Sequence, residues 1–160
     1  LYFIDFLNFW YTKNKSLEEA FTSQMDKEDE DIEKALIGFH ELFFSRPYYR
    51  ERTRKHIATP ARKSACNRLN MFLRWMVRED KYGIDFGIWK VIKKSQLICP
   101  FDLHVSNVSR DLGLVKRKQN DWLTAKELTA KLRKFDSEDP VKYDIALFGI
   151  GISSKKSAQI

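Results

Sequence analysis

Apolar residues in this chain recur three and four positions apart in one window after another, and that spacing constrains the fold more than any other feature. Phe3, Ile4, Phe6, Leu7, Trp10 and Tyr11 do so over 2–12, and Ile32, Ala35, Leu36, Phe39, Leu42 and Phe43 do so again. Ala65, Cys66, Leu69, Phe72, Leu73, Met76 and Val77 form a third set. This is the period of a helix with one buried face. No stretch alternates convincingly as a strand should. The 160 residues include only six Gly and four Pro, which favours long helices over many tight turns. The expected fold is all-α: one compact multi-helix domain over residues 1–152, followed by a flexible polar tail over 153–160.

Local signals set the expected helix ends. Ser16 and Glu19 read as a capping box opening a short helix through Phe21. Residues 23–31 read as an exposed acidic loop. Arg46-Pro47 ends the helix that begins near Ile32, and Ser64 is the candidate cap of the next one. On that helix Arg68, Arg74 and Arg78 are expected outward or toward a ligand. Residues 84–92 read as a short helix or turn held by burial of Trp89. Thr124 with Glu127 reads as a second capping box, for a helix carrying Leu128, Leu132 and Phe135. Asp139-Pro140 opens a last helix from Val141 to Ile150, with Val141, Ile145, Ala146 and Phe148 as core and Gly149 and Gly151 closing it.

Charge is unevenly distributed. The formal net charge is +7. Arg46, Arg50, Arg52, Arg54, Lys55, Arg62 and Lys63 stand against Glu51 alone between 46 and 63, whereas eight acids stand against Lys27 and Lys34 between 18 and 34. Basic residues beside Tyr48 and Tyr49 suit a nucleic-acid backbone with an occasional stacked base. A solvated basic loop is the plainer alternative. Lys116-Arg117-Lys118 adds a second, smaller basic cluster.

Several classes are disfavoured. No apolar run approaches the roughly 20 residues of a membrane span. The N-terminus is apolar but carries Asp5 and Asn8, without a basic leader or small-residue cleavage site. Opening on Leu1 inside a helical pattern, the chain is expected to lack an upstream portion. Cys66 and Cys99 have no metal-ligand spacing and read as buried thiols of a reduced, cytoplasmic protein. There is no phosphate-binding loop and no dinucleotide fingerprint. No metal, cofactor or membrane contact is expected. His40, beside an apolar face, reads as a surface or core residue rather than a ligand.

The stretch Pro100 to Leu114 holds the candidate site, with a plain helix cap as the simpler role of its Asp102 carboxylate. Pro100 keeps Cys99 out of the helical region. Leu103, Val105, Val108 and Leu112 recur at roughly helical spacing, so a helix begins near Asp102, and Gly113 supplies its left-handed stop. Asp102 therefore sits at or beside the N-cap, where amides and the positive dipole end favour an ionised carboxylate.

Asp102, His104, Val105, Val108, Leu112 and Gly113 resemble the segment that heads the catalytic helix of helix-hairpin-helix DNA glycosylases. Tyr143 to Gly149 is similar to the later helix behind the same site. A closer resemblance, on Arg68–Arg78, Asp85–Trp89, Lys116–Trp122 and Phe135–Gly149, is to a bacterial family of unknown function inside or next to that superfamily. The resemblance implies the glycosylase fold lacking an N-terminal portion, double-stranded DNA as partner, and Asp102 as catalytic carboxylate. The superfamily's Gly-x-Gly hairpin turn is absent: Thr59 to Ala65, which holds its place, contains no glycine. By order, Lys63 is the only candidate for the lysine nucleophile of bifunctional members. It lies 39 residues before Asp102, and a phosphate contact is its plainer role. No four-cysteine iron–sulfur motif is present.

Candidate DNA contacts are then Arg50, Arg52, Arg54, Lys55, Arg62, Arg68 and His104. Trp75, Trp89 and Tyr48 are candidate base platforms, with packing the plainer role for Trp75. Three functions follow: a DNA N-glycosylase acting through Asp102, a DNA-binding module without chemistry, and a helical domain whose basic stretch meets a protein.

Overall fold

The structure, a computed structural model, describes residues 1–26, 28–49 and 51–157, the last four by backbone alone. Lys27, Arg50 and the 158–160 part of the expected tail lie outside the described residues. The helices are α1 (Tyr2–Tyr11), α2 (Glu18–Thr22), α3 (Glu33–Phe43), α4 (Asn67–Val77), α5 (Leu103–Asp111), α6 (Trp122–Arg133) and α7 (Asp144–Ser157). Short 3-10 turns occupy Glu51–His56, Pro60–Arg62, Lys94–Gln96 and Pro140–Tyr143. Pairing outside helices, among the described residues, is limited to two isolated bridges, Ser64 with Asp121 and Glu79 with Phe86. The chain is all-α, and none of its described helices is long and apolar enough to cross a membrane.

The first three helices meet through rings. Phe6 and Trp10 of α1, Phe21 of α2, and Phe39 and Phe43 of α3 are all buried. Phe21 and Phe39 stack with centroids 3.9 Å apart, and Phe6 packs at 4.7 Å from Phe43. The Tyr2 hydroxyl donates to the Phe43 carbonyl at 2.6 Å, and Trp10 Nε1 donates to the Ser16 carbonyl at 2.9 Å, pinning the loop into α2. The rest of the core gathers Leu73 and Val77 of α4, Leu97 to Cys99, Phe101, Val105 and Val108 of α5, Leu128 and Leu132 of α6, and Leu147 of α7.

Several expected boundaries move. Ser16 accepts from the Glu18 amide at 3.1 Å while Glu19 stays exposed, so no capping box forms. Ser64 accepts from the Cys66 amide instead of capping α4; Cys66 itself precedes the helix, in the left-handed region at φ 53°. The cap of α6 is Asp121, not Thr124: its Oδ1 accepts from the Thr124 amide at 2.9 Å, reaching the third helical position as an N-cap does. Residues 84–92 form bends and irregular chain, with the bridge at Phe86, rather than a helix. The last helix continues through Gly149 and Gly151 to Ser157, well into the expected tail. An internal glycine costs only about 1 kcal/mol against alanine, which packing overrides. Ile145, Ala146, Phe148 and Phe135, expected inside, are exposed.

The 23–31 loop is not exposed throughout: Asp31, its last residue, is buried, and Lys126 reaches it at 2.9 Å. His40 is buried against the Phe44 ring, 4.9 Å between centroids, and burial with nearby Arg62 and Arg54 holds its imidazole below the ordinary range.

Truncating Phe39 removes a ring from the α1–α2–α3 contact. Phe39→Ala is expected to lower unfolding stability by about 3–5 kcal/mol, whereas Phe135→Ala, at a side chain 67 % exposed, should stay within about 0.5 kcal/mol of the parent in urea titrations.

Candidate functional site

Asp102 takes the N-cap of α5 with extended backbone, and its Oδ1 accepts from the Val105 amide at 2.9 Å. Pro100 behind it and Gly113 at φ 67° beyond α5 frame the helix as the residues dictate. The Asn67 side chain, at the start of α4, accepts from the Phe101 amide at 2.9 Å and fastens α4 to this turn.

The two helices and α7 enclose a cavity of about 330 Å³. Its walls are Asn67, Arg68, Met71 and Trp75 of α4, Pro100 and Asp102, and Asp144 and Phe148 of α7. Asp102 thus opens onto a hollow with largely apolar walls that also holds a second carboxylate. His104, the second residue of α5, lies outside the lining; its ring meets Phe148 edge-on at 5.4 Å, and its Nδ1 is buried without a partner.

Asp144 is 2 % exposed. Its Oδ2 accepts from Arg74 Nη1 at 2.8 Å, and the Cys99 thiol lies 3.9 Å from its Oδ1. Burial pushes its carboxyl up to about 6, outweighing the Arg74 guanidinium that pulls it down; the Asp102 charge adds to the rise. Arg74 also reaches Asp85 at 3.2 Å, and Arg78 bonds both Asp85 and Asp139, the latter at 2.8 Å. Arg74 and Arg78 therefore face inward onto carboxylates, correcting the expectation that they point outward or at a ligand. Burial holds the Cys99 thiol well above its ordinary range and pushes Cys66 up to about 12, so neither is a thiolate nucleophile near neutral pH.

Comparison with protein families matches residues 1–153 to DUF2400, described as a protein of unknown function. The chain belongs to this family. No curated protein and no solved structure matches it.

In this DUF2400 chain the described residues of the basic stretch do not line the Asp102 cavity. Tyr48, 80 % exposed, and Arg52 line a separate cleft with Leu1, Tyr2, Asp5 and Thr53. Arg54 bonds Glu51 at 3.1 Å and the Tyr49 hydroxyl, with its guanidinium 4.9 Å from the Tyr49 ring centre. Lys55, Arg62 and Lys63 are exposed. Lys63 sits in the left-handed region at φ 60°, four residues before α4 rather than inside it, and its carbonyl accepts from the Trp122 amide at 3.2 Å. Arg50 lies outside the described residues. Among the described residues, Arg68 is the one expected DNA contact that shares the cavity with Asp102, and Trp75 the one expected platform.

Trp89 is not a platform. It is 4 % exposed, with Phe21 and Phe72 at 5.5 and 5.4 Å, so no base can reach its face. Sequence reasoning missed Asp144 as a site residue. The available signal was Arg74 and Arg78 on one helical face, four residues apart, with Asp85, Asp139 and Asp144 downstream to receive them.

The raised carboxyl of Asp144 has a consequence for stability. Its folded value lies above the ordinary 3.8, so the folded state keeps this proton where the unfolded chain has lost it. Ionised Asp144 therefore costs stability, fully so above about pH 6 and not at all below about pH 4. Asp144→Asn should gain on the parent by up to about 3 kcal/mol as pH rises through that window. Urea unfolding of both proteins from pH 4 to 7 measures the difference.

Proposed function

We propose that this DUF2400 chain binds DNA and cleaves or recognises a damaged base in the manner of a helix-hairpin-helix DNA N-glycosylase, with Asp102 as the acting carboxylate. The observation that carries the reading is the placement of Asp102 at a helix N-terminus, on a cavity that also holds Trp75 and Phe148. Breaking an N-glycosidic bond builds positive charge on the sugar, and a fixed carboxylate lowers that barrier. The base has to leave the stack and enter a pocket. A cavity of about 330 Å³ is at the small end of ligand pockets and suits a single ring system.

Arg68 at the cavity, together with Arg52, Lys55, Arg62 and Lys63 on the surface, supplies cations for the phosphate backbone. Arg54 is partly occupied by Glu51 and Tyr49 and contributes less. Lys63 fits a phosphate contact better than a nucleophile, because its backbone turns before α4 begins. The intact fold and the two buried free thiols suit a reduced compartment such as the cytoplasm.

A second reading, a DNA-binding module without chemistry, is favoured by one specific observation. The turn between Thr59 and α4 holds left-handed residues at Lys63 and Cys66, where side chains stand instead of the bare glycine amides that approach a phosphate.

Duplexes carrying uracil, oxidised or alkylated bases separate the readings. Strand cleavage after alkali is expected with at least one of them. Asp102→Asn should lower it by about 100-fold or more while the asparagine keeps the cap and the melting temperature. Salt-sensitive binding without cleavage selects the module, its affinity falling with a slope near −0.9 per phosphate contact. Cleavage untouched by Asp102→Asn overturns the assignment of this carboxylate. A borohydride trap is expected to capture no Lys63 adduct; capture abolished by Lys63→Ala would instead establish a lyase step.

A further inference from the structure

Behind Asp144, which lines the cavity, the buried charges do not balance. Two guanidiniums, Arg74 and Arg78, bond three carboxylates, Asp85, Asp139 and Asp144. Arg74, 3 % exposed, divides its charge between Asp85 and Asp144, and its Nε has no partner. Arg78 takes both Asp85 and Asp139, and Asp139 retains partial contact with water. The group is one positive charge short, and it is buried, where an unmatched charge is expensive.

Of the three carboxylates only Asp144 lines the cavity. Asp139 holds Arg78 through both oxygens, at 2.8 and 2.9 Å, and Asp85 takes both arginines on Oδ2, its Oδ1 being buried without a partner. Among the described residues Asp144 has one guanidinium, shared, and the neutral Cys99 thiol. A further carboxylate, Asp102 of α5, lines the same cavity. Arg68 of α4 also lines it, but is exposed to solvent. Asp144 is thus the carboxyl in this cluster that both opens on the cavity and lacks a full counter-charge. A proton remedies that, and a protonated carboxyl is a donor in a hollow whose walls are largely apolar.

We propose that Asp144 is the proton-bearing group of the cavity: held by Arg74, its carboxyl donates a hydrogen bond to a ring nitrogen or carbonyl oxygen of a nucleobase lodged against Trp75, Met71 and Phe148. This rests on the base-pocket reading and adds to it a recognition group with a defined polarity. Asp102 faces the sugar, and Asp144 reads the base edge. Bases that present an acceptor to Asp144 are selected, and those that present only a donor there meet a second donor and are rejected. Titration of Asp144 near pH 6 makes recognition depend on pH, since only the protonated fraction is competent.

The test uses the whole chain with free adenine, hypoxanthine and uracil as probes, read by ligand-observed NMR between pH 5 and 8. At least one base is expected to bind at pH 5, with affinity falling toward about tenfold per pH unit above pH 6. Asp144→Asn, whose amide is a permanent donor, should bind that base without the pH dependence, and Asp144→Ala should not bind it. A flat profile in the parent, a fall that persists in Asp144→Asn, or no binding of any of the three overturns the proposal.

The carboxyl ¹³C resonance of Asp144 in the parent gives a readout that needs no variant to fold well. It should titrate near pH 6, and ionisation already complete at pH 5 would overturn the proposal as well. Failure of the glycosylase reading looks different. In that case no duplex is cleaved, while the pH-dependent binding of the free base remains.

Discussion

The buried contact between Arg74 and its carboxylates holds this molecule's working parts in register. Arg74 stands in the last turn of α4, reaches Asp85 in the segment that follows that helix, and reaches Asp144 at the head of α7. Arg78, one turn on, repeats the arrangement with Asp85 and Asp139. Three segments distant in sequence are thereby joined by groups that tolerate little displacement, because removing one partner from a buried pair strands the other at a cost of about 3–5 kcal/mol. The contact also places Asp144 at the wall of the cavity and keeps it there. Specific placement of a buried charge, more than gain in stability, is the best account of why a core would carry five ionisable side chains.

The acidic and basic halves of the sequence meet different fates, and this decides what the surface offers. Much of the acidic stretch is turned to internal use. Glu18 is buried and accepts from the Val91 and Ile92 amides at 2.7 and 3.2 Å, while Asp31 and Glu33 hold Lys126 at 2.9 and 2.8 Å. Asp29 pairs with Lys34, whose hydrogen bonds to Asp26 and Asp29 hold its carboxyl below the usual range and the ammonium above its own. The described part of the basic stretch remains mostly outward, apart from Arg54 and the half-buried Arg46, which pairs with Asp5 at 3.3 Å. Its positive charge is therefore largely expressed on the exterior. It acts there at longer range than the cavity chemistry, and screening by salt separates the two effects.

Much of the helical plan was legible because it is local. Pro100, Asp102 and Gly113 announce α5 within fifteen residues, and the period of Ile32 to Phe43 announces α3, since capping and one-sided burial depend on near neighbours only. What was hidden depends on contacts far along the chain. Arg74 reads as a solvent residue until Asp144, 70 positions later, is brought against it. Trp89 reads both as a buried anchor and as a candidate base platform until Phe21 and Phe72 enclose it and leave only the first. The true cap of α6 was missed for a nearer reason: Asp121 and Thr124 both satisfy a cap signature, and Arg117, 2.6 Å from Asp121, favours the carboxylate. The cavity itself, shared by three helices, leaves no mark in any one window.

One absent side chain sets the geometry of the pair of acids. A methyl group on Gly151 would lie 2.9 Å from Cβ of His104 and 3.0 Å from its carbonyl oxygen, so α7 rests on the backbone of α5 at that point. Asp102 and Asp144 begin these same two helices, and Gly151 lies about two turns beyond Asp144. Any bulk introduced at 151 acts as a wedge at the far end of a lever. It splays the helices and widens the mouth in which both acids stand, altering the gap between them without touching either one.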